Sequence, residues 1–297
     1  RGTHMRSYLA LTSGQVKKAV EAVKKSKPVY AEIIDFYGKV FEAQEDCKSR
    51  IDLEPLQLSE DLRTARAREN LSLIEIKEFV YDDTESTNLF MTICNLSKNS
   101  NPQLSASAAV IGNAVKKTLK PAELFSGLLE GNEALFENIA DELQVEKQVI
   151  GYIAYNSLKP SIGACAEQLA VYLGQGEPWL QGFCPICGSG TILSILEDEG
   201  RRRLVWSFCW HLWSAKRVDC PYCESSQNKD MHYFYNEEEK DTRVDLCDNC
   251  KKYIKTIDSR KTDRLIYPPL EQIASMHLDI KAQELGYAPG IRLFMQV

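Results

Sequence analysis

"CPYCESSQNKDMHYFYNEEEKDTRVDLCDNC", residues 220–250, opens and closes on a Cys-x-x-Cys pair. Both pairs are set in turn-forming sequence, with Pro221 after one leading thiol and Asp248 and Asn249 inside the other pair. Such a turn aims two thiolates at one ion while backbone amides point at the sulfurs. Two of them joined by a hairpin make a tetrahedral four-thiolate site. The 23 residues between Cys223 and Cys247 supply the hairpin, with strand-like "MHYFYNE" and "TRVDLCD" around a turn-like "EEEKD". Cys220, Cys223, Cys247 and Cys250 therefore read as the complete ligand set of one metal ion, rubredoxin-type iron or zinc.

Upstream the pattern repeats with one departure. "CPICG" (184–188) is a second turn of this kind, its Gly188 tolerating positive φ. Hairpin spacing places its partner pair at 206–209, inside "LVWSFCWHLW" (204–213), where Cys209 is present but Trp206 stands in place of the other thiol. Three arrangements suit Cys184, Cys187 and Cys209: a fourth ligand from His211, an open position filled by water or a partner, or a metal-free site with Trp206 packed in it. Dithiol redox chemistry is the rival use of such pairs. Three pairs at hairpin spacing, none opening a helix in a βαβ pattern, favour ligation.

Seven of the ten cysteines lie within 184–250; Cys47, Cys94 and Cys165 fall in helical-looking sequence and read as small core residues. The 297 residues suffice for two domains. With 44% hydrophobic and 26% charged residues the chain reads as globular, and its net charge of −6 argues against a general nucleic-acid binder. No apolar run approaches a membrane span and no export leader opens the chain, so a reducing cytoplasm is expected, where paired thiols are more often ligands than bridges. Residues 1–5, "RGTHM", read as a tag remnant.

From 6 to 178 the sequence reads as a helical bundle. Pro28 opens a helix with Val29, Ile33, Phe36 and Val40 on one face; "AELFSGLLEGNEALFENIADELQV" breaks near Gly131; another helix starts at Pro160 and stops at Gly174. Residues 179–257 form the tandem metal-ribbon region, with further strands in "TILSILE" and "RRLVWSF". Residues 258–297 hold one amphipathic helix after "YPP", ending before Gly286, and an extended tail that packs on the rest. The fold class is α+β: a helical bundle, then tandem rubredoxin-like or zinc-ribbon modules, then a C-terminal helix.

The stretches "WLQGFCPICGSGTILSILEDEGRRRLVWSFCWHLWSAKRVDCPYC", "LCDNCKKYIKTID" and "LEQIASMHLDIKAQELGYAPG" resemble, in order and spacing, the formate dehydrogenase accessory protein family FdhE. The likeness is specific over roughly 160–290 and rests on helix content alone before that. It implies a non-catalytic cytoplasmic maturation factor that binds the molybdenum- or tungsten-containing catalytic subunit of a formate dehydrogenase. It also implies rubredoxin-like iron at Cys184, Cys187, Cys209, Cys220, Cys223, Cys247 and Cys250. The family pattern requires cysteine at Trp206, which puts the first site's iron in question. Arg201, Arg202, Arg203, Trp210, Trp213 and Arg217, with His211, are candidate client contacts, because aromatic and arginine residues suit interface anchoring. Their structural alternatives are packing between ribbons for the tryptophans and a solvated hairpin edge for the arginines. An Fe–thiolate electron carrier or oxygen sensor is the alternative function, and a zinc-ribbon nucleic-acid binder a more distant one.

Overall fold

The computed structural model describes residues 11–173, 179, 181–225 and 230–291. The tag remnant at 1–5, the helix stop at Gly174, residue 178 at the expected domain boundary and the tail beyond 291 lie outside the described residues. Eight α-helices are described before the sheet: α1 (Ser13–Ser26), α2 (Ala31–Lys48), α3 (Glu60–Arg68), α4 (Asp83–Ser97), α5 (Pro102–Val115), α6 (Pro121–Glu130), α7 (Glu133–Leu143) and α8 (Lys147–Leu169). The break expected near Gly131 is present: that residue adopts φ +68° and ends α6, and the Asn132 side chain caps α7 through Leu135 N–H. Cys47, Cys94 and Cys165 are buried, as a core role requires.

A helix start at Pro160 is not what forms. α8 runs straight through Pro160 and packs against α2, α4, α5, α6 and α7 as the central rod of the bundle. Proline has no N–H, so the carbonyl four residues earlier, on Asn156, loses its helical partner. Gln44 of α2 replaces it, donating from Nε2 to Asn156 O at 2.8 Å. Tertiary packing thereby tolerates a residue that ends most helices.

After α8 come β1 (Thr191–Leu196), β2 (Arg202–Trp206), β3 (Leu212–Ala215), β4 (Met231–Tyr235), β5 (Thr242–Cys247), β6 (Lys252–Asp258) and a two-residue β7 (Ala288–Pro289). The four strands expected from sequence are β1, β2, β4 and β5; β3 and β6 were hidden in "LWSA" and "KYIKTID". The two ribbons are fused. Antiparallel β1–β2–β3 and β4–β5–β6 join through a parallel β1–β6 pair, from Leu193↔Lys255 to Leu196↔Asp258, giving one sheet of order β3-β2-β1-β6-β5-β4. Since β1 and β6 run the same way, all four cysteine-bearing turns lie at one end of this sheet.

The expected single C-terminal helix is two, α9 (Pro268–Ala274) and α10 (Met276–Glu284), separated at Ser275, whose hydroxyl donates back to Glu271 O at 2.6 Å. Leu270 and Ala274 of α9 join the α1–α2 core, and Leu278 and Ala282 of α10 pack on Val244, Leu246 and Tyr253. The helical half and the sheet share a core as well: Leu204, Trp206 and Ile254 pack with the α4–α8 residues. Tyr155 of α8 pins the sheet to the bundle, its hydroxyl lying 3.0 Å from the carbonyls of both Ser207 and Phe208 and accepting Trp210 Nε1–H at 2.7 Å. One turn on, Lys159 Nζ lies 5.1 Å from the Phe41 ring centroid and 4.2 Å from that of Trp210.

Two stability predictions follow from α8. Gln44→Leu leaves the buried Asn156 carbonyl unpaired and should cost about 1–3 kcal/mol by denaturant melting. The cost should shrink when Pro160→Ala restores an N–H to that carbonyl. Burial pushes the Lys159 amine from its usual 10.5 down to about 7. The folded chain therefore sheds a proton that the unfolded chain keeps between those values, and stability rises with pH across that window. Lys159→Met should remove this component of the pH dependence, read as the difference between the two proteins' stability–pH curves.

Candidate metal centres

The turn at 184–188 is closed by Gly188 N–H to Cys184 O at 2.9 Å, Cys184 N–H to Ser189 O at 2.6 Å and Ile186 N–H to Cys184 Sγ at 3.4 Å. The turn at 220–224 repeats it, with Glu224 N–H to Cys220 O at 2.9 Å and Cys220 N–H to Ser225 O at 3.0 Å. At 247–251, Lys251 N–H donates to Cys247 O at 2.9 Å. The turn at 206–210 has the same bonds without the first cysteine: Trp210 N–H to Trp206 O and Trp206 N–H to His211 O, both 3.1 Å. The fifth residue of every turn has positive φ: Gly188 +73°, Trp210 +59°, Glu224 +57° and Lys251 +56°. Only one of these is glycine, so three side chains accept a left-handed conformation that costs about 1 kcal/mol each. The backbone holds four turns of one geometry; the side chains equip three of them with a full Cys-x-x-Cys pair.

The sulfurs converge as the spacing requires. Cys220, Cys223, Cys247 and Cys250 have all four Sγ atoms within 4.8 Å of one another, with Cys220–Cys250 and Cys223–Cys247 both 3.7 Å. Ligands at the Zn–S or Fe–S distance of about 2.3 Å in a tetrahedron are separated by about 3.8 Å, whereas a disulfide needs about 2.05 Å. The set therefore fits a tetrahedral ion and not a pair of bridges; thiolates at this spacing suit iron and zinc alike. Cys220 and Cys247 are buried, Cys223 and Cys250 half-buried. Burial opposes ionisation at Cys223, yet the Asn249 amide, donating at 3.4 Å, the Ser225 backbone and the neighbouring sulfurs hold it down to about 7. Burial pushes Cys250 up to about 11.

Cys184, Cys187 and Cys209 form the second cluster, with Cys184–Cys209 at 3.6 Å and all three fully buried. Burial holds the Cys184 and Cys209 thiols well above their ordinary range, while hydrogen bonds from those two and from Ser189 hold Cys187 well below it. A bound dication would offset the desolvation that opposes ionisation at Cys184 and Cys209. His211 is not brought into this group: no ring nitrogen of His211 lies within 4.8 Å of all three sulfurs. The ring instead tilts against Trp213 at 6.0 Å between centroids. Burial, with the charge of Arg203 adding to it, pushes its pKa down to about 4, so it is neutral at pH 7. Trp206 is 1% exposed and packs with the three cysteines and the helical core.

The two clusters are coupled through the backbone. A Cβ at Gly182, just ahead of the first turn, would sit 2.5 Å from Pro221 O in the third, so only glycine permits this approach. Gly182 N–H also donates to Glu224 Oε1 at 3.1 Å. The helical half reaches the first cluster too: Leu73 N–H and Ile74 N–H donate to Pro185 O and Ile186 O at 2.8 and 2.9 Å. Nothing in the sequence spacing signalled the segment 72–74 as a support of the metal turn.

The candidate client contacts divide. Arg201 and Arg217 are exposed, Arg203 and Trp213 half-buried. Arg202, at 3% exposure, and Trp210, at 9%, are interior residues rather than surface anchors. Trp210 is held by Tyr155, and Arg202 donates to Ser194 Oγ and Asp219 O at 3.0 and 2.7 Å. Among the described residues no helix is long and apolar enough to cross a membrane.

Residues 218–295 match the family profile "FdhE, C-terminal domain". The chain is 27% identical over 281 residues to the FdhE homologue of Aquifex aeolicus, covering 93% of this chain and 92% of that protein. It is 33% identical over 110 residues to the homologue of Cronobacter sakazakii, 36% of this chain and 35% of that one. The crystal structure of the FdhE protein from Pseudomonas aeruginosa superposes with a TM-score of 0.66 at 15% identity, covering 96% and 97% of the two chains. The likeness to the FdhE family thus holds along nearly the whole chain, and the fold is shared.

Metal analysis of anaerobically purified protein should show Cys220→Ser losing one equivalent relative to wild type. His211→Ala should leave the metal content unchanged, since its ring stands apart from the sulfurs.

Proposed function

We propose that this chain, an FdhE relative over nearly its full length, is a non-catalytic maturation factor that binds the catalytic subunit of a formate dehydrogenase during its assembly in the cytoplasm. The observation that carries the reading is the closed four-sulfur site. A catalytic metal keeps a coordination position open for substrate, whereas Cys220, Cys223, Cys247 and Cys250 fill all four corners of a tetrahedron themselves, and the three-cysteine cluster, which lacks a fourth protein ligand, is sealed from substrate by burial. An ion held in this way supplies folding free energy and rigidity. The metal then locks the ends of β5 and β6 and the turn leading to β4, and the sheet presents a fixed surface to the client. Arg201, Arg203, Trp213 and Arg217 are the contacts offered, by exposure and side-chain type. The acidic balance of the chain is set against nucleic acid as a partner.

An Fe–thiolate redox role is the second reading, favoured by one feature: Cys223 and Cys250 are half-buried, which gives an electron-transfer partner access to the centre. Charge-transfer bands that bleach on reduction would accompany it. The maturation reading makes a different demand. The catalytic subunit of a formate dehydrogenase, co-expressed anaerobically, should co-purify with the chain whether iron or zinc fills the site, and Cys220→Ser should abolish the association. No association with the metal-loaded wild type would contradict the proposal; association only with the iron form would favour the redox role.

A further inference from the structure

Away from the sulfurs, the sheet carries a polar stripe that the metal sites do not use. Strand register sets Arg202 beside Leu196, Ser194 beside Thr256, Thr256 beside Arg243 and Asp245 beside Tyr233, so these side chains share one face. Leu196, Arg202, Tyr233, Arg243 and Asp245 of this face line a concavity of about 260 Å³. Its negative charge is already taken: Asp245 accepts from Thr256 Oγ1 at 2.6 Å and pairs with Arg243 Nε at 2.9 Å. Arg260 is likewise committed, forked onto Asp258 at 2.6 and 2.7 Å.

Two guanidiniums are left over. Arg202 is buried at the floor, pairs with no carboxylate among the described residues, and has an Nη2 with no hydrogen-bond partner among them. Arg217 is exposed at the rim, lies over Gly200, where a Cβ would come within 2.7 Å of its Cζ, and also pairs with no carboxylate among the described residues. Four arginines line the concavity, against Asp245, whose charge also favours the Arg202 cation, and the Asp258 that holds Arg260. An excess of positive charge in a cavity, with a buried donor left without an acceptor, focuses the field on an anion. The chain as a whole is acidic, at −6, so this local excess is not a by-product of composition.

The neighbourhood points to an anion carried on a polypeptide rather than a free one. Among the described residues β4 ends the sheet, leaving one backbone edge unpaired. Tyr233 and Tyr235, 60% and 44% exposed, stack on the same face with centroids 6.3 Å apart, and Val218, 48% exposed, lies at the pocket rim. A cationic hole beside an aromatic shelf and an open strand edge suits an extended segment with an acidic side chain among small or apolar ones. We infer that this pocket receives a carboxylate side chain from an extended segment of a partner chain, with Arg202 and Arg217 as the clamp. The inference supplies recognition chemistry for a client without requiring that the client be a formate dehydrogenase, so the two readings fail separately.

The test uses the full chain and a fluorescein-labelled peptide of alternating threonine and glutamate, compared by anisotropy with its threonine–glutamine counterpart. The glutamate peptide should bind at least about tenfold more tightly, the worth of one charge-assisted hydrogen bond. Arg217→Gln, and separately Val218→Glu, which plants a carboxylate at the rim, should each remove most of that difference. Both positions are exposed, so neither variant disturbs the core. Equal affinity for the two peptides, or a glutamate preference that survives both variants, would overturn the inference. Displacement of the peptide by sodium acetate at the peptide's own concentration would overturn the polypeptide source by showing a free-anion site.

Discussion

Four sulfurs drawn to within tetrahedral distance of one another are the constraint on which the C-terminal half depends. They tie the turn before β4 to the turn between β5 and β6, at the end of the sheet where β1 and β6 both begin. The second cluster sits at the same end, and the close approach of Gly182 to Pro221 joins the two. Strand pairing across β1 and β6 then makes one sheet of what would otherwise be two small ribbons. Each alone has little core, and a metal bound at the sulfurs would contribute folding free energy where apolar burial cannot.

The two centres differ in what surrounds them. The four-cysteine site keeps two half-buried sulfurs and a ligand set that a metal ion could close. The three-cysteine site is sealed by the helical bundle, with Leu73 and Ile74 bonded to its first turn and Tyr155 gripping its second. Trp206 belongs to that second environment: it keeps the backbone bonds of a metal-binding turn while offering an indole to the core in place of a thiol. Packing supplies at this turn what ligation would supply at the others. The hydrogen bonds of the turn survive because they are backbone bonds, indifferent to the side chain.

Much of this was legible in the sequence, because a tetrahedral site imposes spacing. The Cys-x-x-Cys pairs, the hairpin lengths between them and the odd position of Trp206 all carried through to the sulfur clusters. Helix content was legible from periodicity. What stayed hidden depends on contacts between distant residues. Pro160 reads as a helix start unless Gln44 is known to satisfy the Asn156 carbonyl. The strand "KYIKTID" gives no alternation because both of its faces are covered, Ile254 by the helical core and Tyr253 by α10. Arg202 reads as a surface residue within a run of three arginines, and only strand alternation over a covered face turns it inward. His211 had the right chemistry and a plausible position, but its place after the turn aims it at Trp213 instead of the sulfurs.

X-ray absorption at the metal edge of anaerobically purified protein tests the central claim most directly. The account predicts a first shell of sulfur alone at about 2.3 Å in the four-cysteine centre, isolated by using Cys184→Ser to disable the other cluster. A first shell dominated by nitrogen or oxygen, or a metal-free protein whose last four cysteines are paired as disulfides, would contradict it.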